Sequence, residues 1–262
     1  MDIGTHQLHI ACLGTRSPTL VIETGLGEVF STWDSIMETL SQEVRVCGYD
    51  RAGYGQSEAG PMPRHSQREA EELYRLLRLA GEEGPFILVG HALGALNLQV
   101  FAHLYRDDVA GLVLLDPFPL AWMKGEAYPE LRSLFVQDAI TMRAASIAAC
   151  NSPDPKVQAQ TVFLNAVVSE CQQIFNATTS QLSAVGTFGD LPLIVIGATE
   201  IEPAFGIHAE GSRRFWNDES HSLAEKSTAG RFILAENSGH AIHLDQPQIV
   251  IYAILDLLQE TP

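Results

Sequence analysis

Along the first half of the chain, short apolar runs alternate with amphipathic ones. LHIAC, TLVIET, VRVCGY, FILVG and GLVLL predict strands, several of them so continuously apolar that both faces must be covered. Between them, SQREAEELYRLLRLAG sets Ala70, Leu73, Leu76, Leu77 and Ala80 on one helical face, and residues 92–105 predict another helix. Strand and helix in alternation predict an α/β fold with a mostly parallel central sheet flanked by helices. From Asp116 to about Gly189 the pattern changes to two helical runs, AYPELRSLFVQDAITMRAASIAAC and DPKVQAQTVFLNAVVSECQQIF, with no strand between them. That stretch reads as an insertion and not as a second fold. The earlier pattern resumes with LPLIVIG, a helix around Arg213–Glu225, the strand RFILAE and a closing helix from Gln248 to Leu258. The expected organisation is a core at 1–116, a helical insertion at 117–189 and the rest of the core at 190–262.

Composition narrows the function classes. A chain of 262 residues with 46% hydrophobic and 18% charged content folds, which excludes intrinsic disorder. Sixteen basic against 32 acidic side chains give a net charge of −16. Such a surface repels phosphate backbones and anionic lipids, so neither nucleic acid nor a membrane is an expected partner. No apolar run reaches the ~18 residues of a membrane span. The N-terminal MDIGTHQLHIACLG lacks the basic stretch and apolar run of a secretory signal, and the expected location is cytoplasmic. Cys12, Cys47, Cys150 and Cys171 are scattered, without the spacing of a disulfide scaffold or a zinc knuckle, and read mostly as buried thiols.

The most informative segment is FILVGHALGALNLQVF, an apolar strand running through Gly90-His91-Ala92-Leu93-Gly94 into a helix. This is the setting of a nucleophile elbow, where the central residue sits on a strained backbone and its neighbours two before and two after must be small. Gly90 and Gly94 supply that room. The plain alternative is a glycine-bounded turn with only packing to do.

In the order ETGLG, YDRAGYGQS, VGHALG, LVLLDP and SGHAIHLDQP, the chain resembles the α/β-hydrolases from end to end, the insertion excepted. It looks most like their esterase-type members. The resemblance implies the α/β-hydrolase fold, with the insertion as a helical lid after the sixth strand. It also puts Ala92 where a nucleophile should stand, and a methyl group cannot attack a carbonyl. A deliberate alanine substitution, a natural pseudoenzyme and a mistaken motif are the three explanations. An original Asp fits poorly, because the insertion holds a single tyrosine, Tyr128, to activate an epoxide, and Leu93 stands where dehalogenases place a halide-binding Trp. Serine is the best guess for the parent residue.

The resemblance makes His240, after a Ser-Gly turn, the base, because an imidazole can take a proton and return it near pH 7. His243 lies three residues on. With no third ligand at sensible spacing, the two do not make a metal site. His91, His208 and His221 read as surface or structural. The third member must be a carboxylate that holds the histidine tautomer. Asp116, ending GLVLL, is favoured over Glu200, which follows LPLIVIGAT. The backbone amides of Leu26, in Thr24-Gly25-Leu26-Gly27, and of Leu93 match the oxyanion donors. YDRAGYGQS is a structural loop, and its Ser57 is not the nucleophile. Trp122, Met123, Phe135 and Met142 of the lid would line an apolar acyl pocket. The implied activity is cleavage of a small-molecule carboxylic ester or lactone through an acyl-enzyme, in a form inactivated at Ala92 and needing no metal or organic cofactor. The other readings are a small-molecule binding protein or sensor on the same fold, and perhydrolase or C–C bond hydrolysis by the same triad.

Overall fold

The computed structural model describes residues 1–260, so Thr261 and Pro262, the end of the expected 190–262 segment, lie outside the described residues. Seven strands form one sheet: β1 (Ile10–Leu13), β2 (Thr19–Glu23), β3 (Arg45–Tyr49), β4 (Phe86–His91), β5 (Val109–Leu115), β6 (Leu193–Ala198) and β7 (Gly230–Ala235), in the order β1-β3-β2-β4-β5-β6-β7. Among the described residues only β1 runs antiparallel to its neighbour in the sheet; every other strand pairing is parallel.

The central strands are apolar throughout because successive side chains feed two different cores. On one face lie Val21, Phe86, Leu88, Leu112, Leu114, Leu193 and Val195. On the other lie Leu20, Ile22, Ile87, Val89, Val113, Leu115, Ile194 and Ile196. The first face is covered by α2 (Ser66–Leu79) and α3 (Leu93–Leu104), the second by α1 (Asp34–Leu40) and, near the chain end, α10 (Pro247–Glu260).

Between β5 and β6 run four helices, α4 (Leu120–Lys124), α5 (Pro129–Cys150), α6 (Pro155–Ile174) and α7 (Ala177–Ala184). Proline at the first turn opens both α5 and α6, and the Asp154 side chain accepts from the Lys156 amide to cap α6. The remaining helices are α8 (Ala209–Ala224) and α9 (Ile242–Asp245).

Two expectations are corrected. The insertion leaves the sheet after the fifth strand and not the sixth, because the residues ahead of β1 make only an isolated bridge, Asp2 with Gln7, where a further ladder strand would have raised the count. Cys12 and Cys47 are not thiols. They sit directly opposite each other on β1 and β3 with Cα atoms 4.1 Å apart, and are joined by a disulfide. Cys171 is a buried thiol and Cys150 an exposed one.

The YDRAGYGQS loop ties the insertion to the core. Asp50 accepts from the amides of Phe30 and Gln56. Arg51, 1% exposed, donates to the carbonyls of Thr24 and Gly25 at 2.6 and 2.8 Å, and pairs with Glu170 of α6 at 3.0 Å. Tyr54 also donates to Glu170. One buried guanidinium thereby holds the loop after β2 and the insertion together. Glu170→Ala, which leaves that cation without its main partner, is expected to cost about 3 kcal/mol in a urea titration. It should also make residues 117–189 the first site of limited proteolysis. A loss below about 0.5 kcal/mol, the ordinary surface value, would mean that the pair is not what anchors α6.

Candidate active site

The strand β4 ends by crossing its own following helix. A Cβ at Gly90 would lie 2.8 Å from the Ala95 nitrogen, and one at Gly94 would lie 2.2 Å from the Glu23 carbonyl oxygen. Both positions therefore tolerate only hydrogen. Between them Ala92 holds φ 49° and ψ −110°, a region costly for any residue with a Cβ. The tight turn aims its side chain at the carboxyl edge of the sheet, where such folds gather their sites. The Ala92 amide donates to the Leu115 carbonyl at 2.9 Å, and the Asp116 amide to the Ile196 carbonyl at 2.8 Å. The end of each strand is thereby hung on the next.

Asp116 is fully buried and carries three charge-assisted contacts. His240 Nδ1 lies 2.6 Å from Oδ2, and Arg213 of α8 donates from Nη1 to Oδ1 at 2.7 Å and from Nη2 to Oδ2 at 3.2 Å. Burial alone would raise this carboxyl, but the His240 hydrogen bond and charge, with the Arg213 guanidinium, outweigh it and hold the group at about 2. A carboxyl lowered by folding contributes stability that is complete above its ordinary value near 3.8 and is lost as pH falls through about 2. Between those limits the chain is expected to lose on the order of 2 kcal/mol from this one group. Melting curves over that range should show the decline and show less of it in Asp116→Asn; equal slopes in both proteins would refute the assignment.

With Nδ1 of His240 taken by Asp116, Nε2 is the ring nitrogen left for chemistry. His240 and Ala92 line the same cavity of about 540 Å³, together with Leu26, Phe118, Trp122, Phe135, Phe205 and Trp216. The Phe118 ring lies against His240, centroids 6.0 Å apart. Leu93 opens α3, so its amide has no carbonyl four residues back within the helix. Leu26 sits in a turn in which the Glu28 amide donates to Gly25 at 3.3 Å.

Ala92, His240, Asp116 and Leu26 thus come together, with Trp122 and Phe135 in the cavity wall. Glu200 does not join them: it is exposed, its amide donates to Ser238 at 2.9 Å, and among the described residues the partner of His240 Nδ1 is Asp116. Met123 and Met142, expected in the cavity wall, are not among its lining residues. Met123 is fully buried in the core behind the wall, and Met142 packs beside Ala139 over Tyr54. Met142 continues the α5 face that carries Phe135 and Asp138, one turn beyond the part of it that lines the cavity.

Three residues at the site had no reading as such from sequence. His91, expected to be structural or at the surface, lines the cavity and is 1% exposed. Its Nδ1 lies 3.0 Å from Glu28 Oε1, and its Nε2 lies 2.9 Å from the His240 carbonyl oxygen. Glu28 would rise on burial, but His91, the neighbouring His243 and the Gly25 amide hold it down at about 2. Arg213 is the third. Adjacency to the elbow and to TGLG was the available signal for His91 and Glu28; nothing in sequence linked Arg213 to Asp116 across 97 residues.

Residues 18–247 match a family model described as alpha/beta hydrolase fold. Among curated proteins, an uncharacterized protein YqjL of Bacillus subtilis (strain 168) is 28% identical over 245 residues, covering 93% of this chain and 85% of that protein. Among solved structures, a thermophilic esterase from Thermogutta terrifontis superposes with TM-score 0.71 at 23% identity, over 97% of this chain and 94% of the other. The enol-lactonase from Burkholderia xenovorans LB400 has TM-score 0.71 at 21% identity, with 97% of each chain covered. These last two likenesses speak for the fold.

Proposed function

This chain belongs to the alpha/beta hydrolase fold family, and on that premise we propose that its cavity is the carboxylic ester or lactone site of a serine hydrolase, in a form inactivated at the nucleophile. The observation that carries this reading is the His240–Asp116 contact of 2.6 Å, in one cavity with a strained elbow residue. With serine at position 92, its hydroxyl oxygen attacks the substrate carbonyl carbon while His240 Nε2 takes the proton. His240 then returns that proton to the leaving alcohol oxygen. The amides of Leu26 and Leu93 donate to the developing oxyanion. Water, deprotonated by the same nitrogen, releases the acid from the acyl-enzyme.

Asp116 orients the ring and stabilises the imidazolium, and Arg213 holds Asp116 in turn. Helices α4–α7 act as a lid, from which Trp122 and Phe135 meet the acyl or alcohol part. A small molecule fits a cavity of about 540 Å³. Among the described residues no helix is long and apolar enough to cross a membrane. The Cys12–Cys47 disulfide weighs against the expected cytoplasmic location, where thiols are kept reduced.

The test is serine restoration at position 92, followed by labelling with a fluorophosphonate and assay on activated esters and lactones. Ala92 itself favours a second reading, a binding protein or sensor that keeps the pocket without the chemistry. A folded, serine-bearing protein that neither labels nor turns over would select that reading.

A further inference from the structure

We propose that Glu28, His91 and His243 form a site for a divalent transition-metal cation of the zinc class, with one coordination position open to the cavity beside Ala92. The ligand atoms of the three residues all lie within 4.8 Å of one another. Two imidazoles and a carboxylate are a donor set that suits zinc, and closing on a metal at about 2.1 Å would bring the donors to roughly 3.4 Å apart. From sequence, His243 had only His240 as a partner in a metal reading and no third ligand. The fold joins it instead to His91 at the end of β4, ring centroids 4.9 Å apart, and to Glu28 in the loop after β2.

The surroundings are arranged as they are around metal ligands. His91 Nε2 faces the His240 carbonyl at 2.9 Å. A carbonyl only accepts, so Nε2 carries a hydrogen, and in the neutral ring the lone pair is then on Nδ1, facing Glu28. A lone pair directed at a carboxylate 3.0 Å away is repelled unless a proton or a cation lies between them. A ligating histidine whose other nitrogen donates to a backbone carbonyl is the usual outer support of a metal site. The Gly25 amide donates to Glu28 Oε2 at 2.8 Å and orients that carboxylate. A side chain at Gly25 would place its Cβ 2.7 Å from His91 Nδ1 and 2.9 Å from Glu28 Oε2, so only glycine lets the pair close up.

His243 supplies the second observation. It is 2% exposed, stacked flat on Trp33 with centroids 4.4 Å apart, and neither ring nitrogen has a hydrogen-bond partner among the described residues. Burying both without partners is costly, and coordination satisfies one of them. Glu28 and His91 line the cavity while His243 lies behind them. Three protein ligands with the fourth position open is the arrangement of zinc sites that receive water or a substrate oxygen. The cation site does not rest on the ester or lactone reading.

The test uses the full chain, stripped with chelator and titrated with zinc alone by calorimetry, with cobalt as a visible-absorption probe. One equivalent per chain and a cobalt band in the visible are expected. Glu28→Gln keeps the size of the side chain and an acceptor for the Gly25 amide, and should weaken zinc by at least about 100-fold, more than loss of an outer-shell contact. His243→Gln should do the same, with far-UV circular dichroism to verify folding; if it fails to fold, the Glu28→Gln result decides. Cys150→Ser, which removes an exposed thiol able to hold zinc, should bind as the unaltered chain does. Less than one equivalent bound, equal affinity in folded Glu28→Gln, or loss of binding in Cys150→Ser would each overturn the site. Absence of binding would leave a proton between His91 and Glu28 as the bridge.

Discussion

Ala92→Ser is expected to convert a chain with no covalent chemistry into one labelled by fluorophosphonates, and to raise kcat on an activated ester or lactone by about a million-fold. That is the magnitude lost when a triad nucleophile is removed. The expectation is this large because, on the proposed reading, the other groups of the site already stand in position. The elbow backbone at Ala92 is held by Gly90 and Gly94, which admit no larger residue, and by its amide bond to Leu115 at 2.9 Å. His240 is oriented by Asp116. A serine hydroxyl adds one atom to a Cβ already in place, so the change asks for little rearrangement of a buried position. Active-site titration should give one labelled serine per chain. A well-folded Ala92→Ser protein without labelling or turnover would remove the hydrolase reading and make ligand binding by the unaltered chain the relevant assay.

Within the serine-restored protein, Asp116→Asn is expected to lower kcat by about ten-thousand-fold, whereas Glu200→Gln should leave it unchanged. The amide cannot hold the Nδ1–H tautomer or balance an imidazolium, and it also turns a neutral group toward Arg213, whose guanidinium now contacts Asp116 at 2.7 Å. A KM that stays near its starting value would place the loss in the chemical step and not in binding. Glu200, exposed and bonded through its backbone to Ser238, makes no hydrogen bond or ion pair with His240 among the described residues, whereas Asp116 does. The reverse result, with Glu200→Gln inactive and Asp116→Asn active, would require a rearrangement of the loop after β6 that brings Glu200 to His240. Asp116→Asn also reports on the acid-stability decline described above, so the two measurements on one variant must agree.

By itself the sequence determined the strands, the surface helices and the elbow, because each is written in neighbouring residues. A strand covered on both faces is apolar at every position, as FILVG is, and an elbow needs small residues at fixed spacing, as Gly90 and Gly94 are. The same locality explains the insertion, whose helical runs carry no strand between them. What tertiary structure alone decided are relations between elements far apart in the chain. Asp116 and Glu200 end neighbouring strands, and the sequence favoured Asp116 without deciding between them; the path of the loops brings His240 to Asp116. Arg213 reaches Asp116 from α8, Glu170 reaches Arg51 across 119 residues, and Cys12 meets Cys47 because β1 turns antiparallel beside β3. Met123 and Met142 are absent from the cavity lining for the same reason, since helical spacing gives a face but not how far along it a cavity extends. His91 and Glu28 show the limit most directly. A histidine beside an elbow and an acid beside a glycine turn carry no mark of each other until the sheet sets β2 next to β4 and their side chains meet at its edge.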